Sequence, residues 1–208
     1  MQILSANDYQ TMPWKNGGGV TNQLAVSSDL HPFDSLPLWR LSIATVATDG
    51  PFSLFEHYQR CIMLLQGAGM RLKFGQQDWI SIERPLQRQL FSGAWQTDCE
   101  LIDGEIRDFN LMVDQRRAVF ESNVIQCTDS ALVLSQFSET ESNEGFWLLY
   151  VISGDIRLQL NQSDSYPLSE SQTAIGISTK SDPSVSAVQI GSQKPDATLF
   201  VAHILPLD

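Results

Sequence analysis

Cysteine and histidine are scarce in this chain of 208 residues. The three cysteines, Cys61, Cys99 and Cys127, are an odd number without paired spacing, which does not read as a disulfide framework or a zinc site. The histidines are His31, His57 and His203, and none stands two residues from another. Basic charge is also scarce: 13 Lys and Arg face 24 Asp and Glu, giving a formal net charge of -11. That excess repels phosphate backbones and anionic lipid surfaces, so nucleic acid and membranes are not expected partners. No stretch reaches the roughly 18 apolar residues that span a bilayer. Residues Met1 to Gln10 lack a basic start followed by an apolar run, so no signal peptide is read there and a cytoplasmic location is expected. Long stripes of 3.6-residue period are missing too, and a short helix around Ser5–Thr11 is the one helical candidate.

What the chain does have is a set of short apolar runs separated by turn residues. Hydrophobic residues make up 42% and charged residues 18%, as in an ordinary globular protein. Strands are expected at Leu38–Val46, Arg60–Leu65, Met70–Phe74 and Leu86–Phe91. The style continues at Ala131–Gln136, Phe146–Ile152, Ile156–Leu160, Ala174–Ile177 and Leu199–Leu205. Turns fall at Asp49-Gly50-Pro51, Gly67-Ala68-Gly69 and Gly75-Gln76-Gln77. The fold class is therefore all-β, with few short helices.

Two segments match each other. Ile62–Phe74 reads IMLLQGAGMRLKF and Leu148–Leu160 reads LLYVISGDIRLQL. Laid together without gaps, apolar falls on apolar at both ends, and Arg71-Leu72 falls on Arg157-Leu158. Each is a hairpin with a glycine-containing turn, where a positive φ is cheap. A repeated sheet unit points to a duplicated barrel. Hairpins of this form resemble the cupins, which have a jelly-roll-type barrel. Metal-binding cupins carry His-x-His, a following Glu and a later His. This chain has no such set, so no metal is expected, and its histidines read as surface or packing residues.

Four constellations carry the chemistry. Met12–Thr21 contains Lys15, Asn16 and the run Gly17-Gly18-Gly19, whose amides could nest a carboxylate or simply make a tight turn. In Trp39–Val46, alternation puts Trp39, Leu41, Ile43 and Thr45 on one face, with Arg40, Ser42, Ala44 and Val46 on the other. A charge such as Arg40 in a strand buried on both faces needs a partner, either a protein carboxylate or a ligand. Gly50–Phe55 is followed by Arg60. In Asp108–Met112, Asp108 and Asn110 share one face, and a salt bridge from Asp108 to a buried arginine is the plain reading.

Pro13–Thr21, Trp39–Val46, Asp49–Phe55 with Arg60, and Asp108–Met112 together resemble the HutD/Ves family, firmly over about residues 1–120. The resemblance implies two cupin-like jelly-roll barrels, a duplicated bicupin. Residues 1–120 would form the first barrel and 121–208 a divergent second half packed against it as one unit. Members of HutD type commonly have Thr-x-Glu after the glycine run. This chain has Thr21-Asn22-Gln23 instead, an amide in place of the acid.

The HutD members of the family are associated with histidine utilisation, in an accessory or regulatory capacity rather than an established catalytic one, and the Ves members with stress responses. The expectation is a binding protein for a small anionic metabolite, without cofactor or metal. The ligand would be a carboxylate intermediate such as formylglutamate, formiminoglutamate or urocanate. The expected site is Lys15, Asn16, Gly17, Gly18, Arg40 and Arg60, with Asp108 and Asn110 orienting the cations. A metal-independent isomerase or epimerase using Lys15 or His57 as base is one alternative. A scaffold acting through a protein partner is another. Cupins often pair their sheets, so a homodimer is also an expectation.

Overall fold

The structure, a computed structural model, describes residues 1–29, 36–127, 132–133, 144–160, 164–179, 188–192 and 197–207. His31 and most of the strand expected at Ala131–Gln136 lie outside them. Regular structure among the described residues is β-sheet, apart from a short 3-10 helix at Ser27–Asp29. The helix expected around Ser5–Thr11 is a turn. Asp8 Oδ2 accepts from the Ser5 amide and hydroxyl at 2.8 and 2.9 Å, and the Asp8 amide donates to the Ser5 carbonyl at 2.9 Å. An aspartate that folds its carboxylate back onto nearby backbone competes with a helix and favours a turn. Strand β1 (Gln2–Leu4) precedes this turn and β2 (Gln10–Pro13) follows it.

The chain divides into two compact units, one of Tyr9–Arg116 and one of Met1–Asp8 with Arg117–Asp208. After β2 the first unit runs through β3 (Gly19–Val26), β4 (Trp39–Val46), β5 (Gly50–Pro51), β6 (Tyr58–Gln66) and β7 (Met70–Phe74). It continues with β8 (Ile80–Ile82), β9 (Arg88–Ser92), β10 (Thr97–Leu101) and β11 (Ile106–Asp114). They form a six-stranded sheet of order β2-β3-β4-β11-β6-β9 and a four-stranded sheet of order β5-β10-β7-β8. Alternate residues of both sheets meet in one core: Val46, Ile62, Leu64 and Phe91 from the first, and Met70, Leu72, Phe74 and Ile82 from the second. The period-2 pattern of Met70–Phe74 is the cause, since its apolar positions are buried and Arg71 is exposed.

The second unit contains β12 (Ala118–Cys127), β13 (Leu132–Val133), β14 (Glu144–Ser153) and β15 (Asp155–Leu160), then β16 (Asp164–Ser169), β17 (Thr173–Thr179), β18 (Val188–Ser192) and β19 (Ala197–Pro206). Its sheets have the orders β1-β17-β14-β19-β12 and β13-β18-β15-β16. Strand β1 pairs antiparallel with β17, Gln2 against Ile175. Residues 1–8 thus belong with the C-terminal half, whereas the division of the sequence at 120 assigns them to the first barrel. Three residues of strand carry too little pattern to choose a partner.

The two hairpins of the repeat are β6–β7 and β14–β15. Ile62 and Leu64 enter the core of the first unit, whereas Leu149 and Val151, not Leu148 and Tyr150, enter that of the second. The match therefore holds for β7 and β15 but slips by one residue in the strand before them. The turns differ, with Gly67 and Gly69 at positive φ in one and Gly154 in the other, and a one-residue change in a turn exchanges the two faces of a strand.

Candidate functional site

Cross-strand register assembles the site from residues distant in sequence. In the centre of the six-stranded sheet, Met112 pairs with Arg40 on one side and Arg60 on the other. Asn110 pairs in the same way with Ser42 and Ile62, and Asp108 with Ala44 and Leu64. Side chains at i, i+2 and i+4 share a face, so Arg40, Arg60, Asn110 and Asp108 project from one surface. They line a cavity of about 580 Å³ within the first unit, with Trp14, Lys15, Asn16 and Thr21 from the β2–β3 hairpin and Phe52 and Phe55 from the segment after β5.

Arg60 is buried, with 6% of its surface exposed. Its guanidinium carbon sits 5.4 Å from the Phe52 ring centre, 5.5 Å from Phe55 and 4.8 Å from Phe91. Aromatic faces attract a cation, and the attraction grows when water is excluded. The motif Gly50–Phe55 is thus the wall of an arginine box, fixed by backbone bonds from Phe52 to Thr97 and from Phe55 to Gly93, both 2.8 Å. Burial lowers the Arg60 pKa to about 10, with Asp108 opposing the shift and Arg40 adding to it, so the side chain stays charged at neutral pH. Arg60 Nε approaches Asn110 Oδ1 at 3.5 Å.

Arg40 Nε donates to Gln23 Oε1 at 2.9 Å. Burial lowers the pKa of Arg40 as well. Its partner is an amide, so its charge is not neutralised there. Among the described residues Arg71 is ion-paired with Glu100 and Arg116 with Asp114, and no ion pair joins Arg40 or Arg60 to a carboxylate.

The salt bridge expected from Asp108 is not formed. Asp108 is 2% exposed and its Oδ1 has no hydrogen-bond partner, while Asn110 is the residue in contact with Arg60. Burial pushes the Asp108 carboxyl up to about 7, against the pull of Arg60. Its register position explains the miss. Asp108 lies four residues from Met112, the position level with Arg60, and the nearer Asn110 meets the guanidinium first.

Of the residues singled out from the sequence, Lys15, Asn16, Arg40, Arg60, Asp108 and Asn110 line the cavity, and Gly17 and Gly18 do not. The glycine amides are occupied by the hairpin itself. Gly17 donates to the Trp14 carbonyl at 3.0 Å and Gly18 to Asn16 Oδ1 at 3.1 Å. Gly19 lets the turn close, because a Cβ there would lie 2.4 Å from the Thr45 carbonyl. Trp14, held by its Nε1 bond to Thr21 Oγ1 at 2.8 Å, presents its side to the cavity. His57 is exposed at a positive φ of 73° and is not in the lining.

Ser42, Thr21 and Met112 also line the cavity, and alternation from Arg40 and Asn110 was signal enough to find Ser42 and Met112. Among the described residues, no three His, Cys, Asp or Glu side chains gather where one ion could be held. Two guanidinium groups repel a metal cation, so this donor set fits an anion.

A family model described as HutD matches residues 6–193. The chain belongs to the HutD family. It is 45% identical over 117 residues to an uncharacterized 21.2 kDa protein in the hutC 3' region of Pseudomonas putida, covering 56% of this chain and 60% of that protein. It is 32% identical over 113 residues to Protein Ves of Escherichia fergusonii, covering 50% and 55%. The chain thus spans somewhat over half the length of these two relatives.

Among solved structures, a conserved protein of unknown function from Pseudomonas aeruginosa PAO1 superposes with a TM-score of 0.79 at 28% identity, covering 100% of this chain and 99% of that one. HutD from Pseudomonas fluorescens SBW25 superposes with a TM-score of 0.75 at 24% identity over the same shares. Oxalate decarboxylase of Bacillus subtilis matches at 0.65 with 7% identity, covering 99% of this chain and 77% of that one, a likeness of fold alone. The chain has an all-β, cupin-like fold. No helix among its described residues is long and apolar enough to cross a membrane.

Proposed function

We propose that this member of the HutD family binds a small carboxylate in the cavity of its first unit and acts as an accessory or regulatory protein rather than as a catalyst. One observation carries the reading: Arg40 and Arg60 enter one cavity of about 580 Å³, and neither is ion-paired with a protein carboxylate among the described residues. A guanidinium removed from water needs a counter-charge, and a bidentate carboxylate supplies it through charge-assisted hydrogen bonds. Lys15, exposed and in the cavity lining, adds a third cation. HutD membership suggests a role linked to histidine utilisation, so formylglutamate, formiminoglutamate and urocanate are the ligands to try first.

Each compound is added to the purified, chelator-treated protein at millimolar concentration and the unfolding temperature is measured. A ligand at a hundredfold excess over its Kd stabilises by roughly 2.7 kcal/mol. In Arg40→Gln, which keeps a polar side chain beside Gln23, the affinity of that ligand falls at least tenfold, read by calorimetry. Stabilisation that survives unchanged in Arg40→Gln would place the ligand elsewhere. No stabilisation by any carboxylate would remove the reading.

A further inference from the structure

Asp108 is a carboxyl group that the protein itself does not satisfy. It lines the same cavity as Arg40 and Arg60, is buried, and has Oδ1 without a hydrogen-bond partner. It is not ion-paired with Arg60, whose Nε is turned to Asn110. Unsatisfied buried polar atoms are few in native proteins, and those found at a cavity call for an explanation. The other charged groups at the cavity are cations: Arg60 on β6, Arg40 on β4 and Lys15 on the β2–β3 turn. A plain dicarboxylate would meet the cations but would also bring its own negative charge toward Asp108. A molecule with a hydrogen-bond donor at its other end would meet both.

We propose, resting on the anion-site reading above, that the site is two-ended: the arginines hold a carboxylate and Asp108 accepts an N–H of the same molecule. The ligand class is therefore a carboxylate carrying an N–H group on an amide, amidine or azole, as against oxoacids and simple dicarboxylates. The raised pKa of Asp108 agrees with a buried carboxyl that receives no hydrogen bond from the protein.

The test uses two compounds of the same shape. Urocanate carries an azole N–H, and 3-(2-furyl)acrylate replaces it by an ether oxygen that can only repel a carboxylate. Both are titrated calorimetrically at pH 8 into the whole protein and into Asp108→Asn. Urocanate binds the wild type about tenfold or more tightly than the furyl compound, the worth of one hydrogen bond to a charged group. In Asp108→Asn the ratio falls below about threefold.

Equal binding of both compounds by the wild type, with loss of both in Arg40→Gln, overturns the role of Asp108 and leaves the anion site standing. A ratio unchanged in Asp108→Asn does the same. Binding of neither compound overturns the two-ended site and leaves the anion site to stand or fall by the carboxylate screen above. The wild-type comparison decides the matter on its own should Asp108→Asn not fold.

Discussion

At the scale of single residues, two buried titratable groups bias the chain in opposite directions. Asp108 has its pKa raised to about 7 by burial, so the folded state holds the proton more tightly than the unfolded one. The stability from that proton is complete below about pH 4 and is lost as pH rises toward 7. His203 is stacked on Trp147 with ring centres 4.0 Å apart, neither ring nitrogen has a partner, and burial lowers its pKa to about 4. Its contribution is present above about pH 6.5 and is lost as pH falls toward 4. Relative to the wild type, Asp108→Asn should gain stability as pH rises from 4 to 7, and His203→Phe as pH falls from 6.5 to 4. Each difference has a slope of up to about 1.4 kcal/mol per pH unit. Urea midpoints measured across pH 4–8 check both, and parallel curves would show that neither group is as desolvated as described.

The site residues that sequence revealed were those whose position follows from alternation. Arg40, Arg60, Asp108 and Asn110 sit on strands of clear period 2, so a shared face could be read before any coordinate. What stood beyond reach was distance along that face. Alternation cannot say that Asn110 rather than Asp108 meets Arg60, nor that Gln23 takes Arg40, because a bulge between Gln23 and Ala25 shifts the register of β3 against β4.

At the scale of elements, the β2–β3 hairpin is where a ligand loop and a tight turn compete as explanations, and steric space decides. Gly19 has no room for a methyl group, with the Thr45 carbonyl 2.4 Å and the Trp14 ring 3.1 Å from its ideal Cβ position. Gly19→Ala should cost about 1–3 kcal/mol through overpacking. Gly17→Ala meets nothing within 4 Å but must hold a φ of +72°, a cost of about 1–2 kcal/mol. Denaturation of both variants tests the order, and a harmless Gly19→Ala would mean that the turn is looser than its contacts imply.

The hairpin repeat shows the same limit in another element. Period and composition matched β6–β7 to β14–β15, but a turn of different length displaces one strand by a residue. As a result, counting from each core, Trp147 in the second unit stands where Arg60 stands in the first. It pairs with His203 as Arg60 pairs with Met112. A stacked Trp–His pair fills with ring atoms the position that the first unit gives to a cation. Sequence alone could not show this, because without gaps the match sets Arg60 against Phe146.

At the scale of the whole molecule, all-β composition and barrel-like sheets were legible from short apolar runs and frequent breakers. The membership of each strand was not. Strand β1 is only Gln2–Leu4, yet it closes the edge of a sheet whose other strands lie beyond residue 117. Deleting residues 1–8 should therefore leave the first unit protected against hydrogen exchange and expose the β17 amides that face β1, within Thr173–Ile175. Loss of protection in β3 or β4 instead would mean that the segment supports the first unit.

That pairing also has a consequence in time. Residues 9–116 can collapse as soon as they leave the ribosome, since every strand they need is already made. Residues 2–4 emerge before them, but their partner is translated on the order of ten seconds or more later, at roughly 5–20 residues per second. Throughout that interval β1 is an unpaired strand waiting for β17. A bulky fusion placed directly before Met1 would meet the folding of the last strands, not of the first.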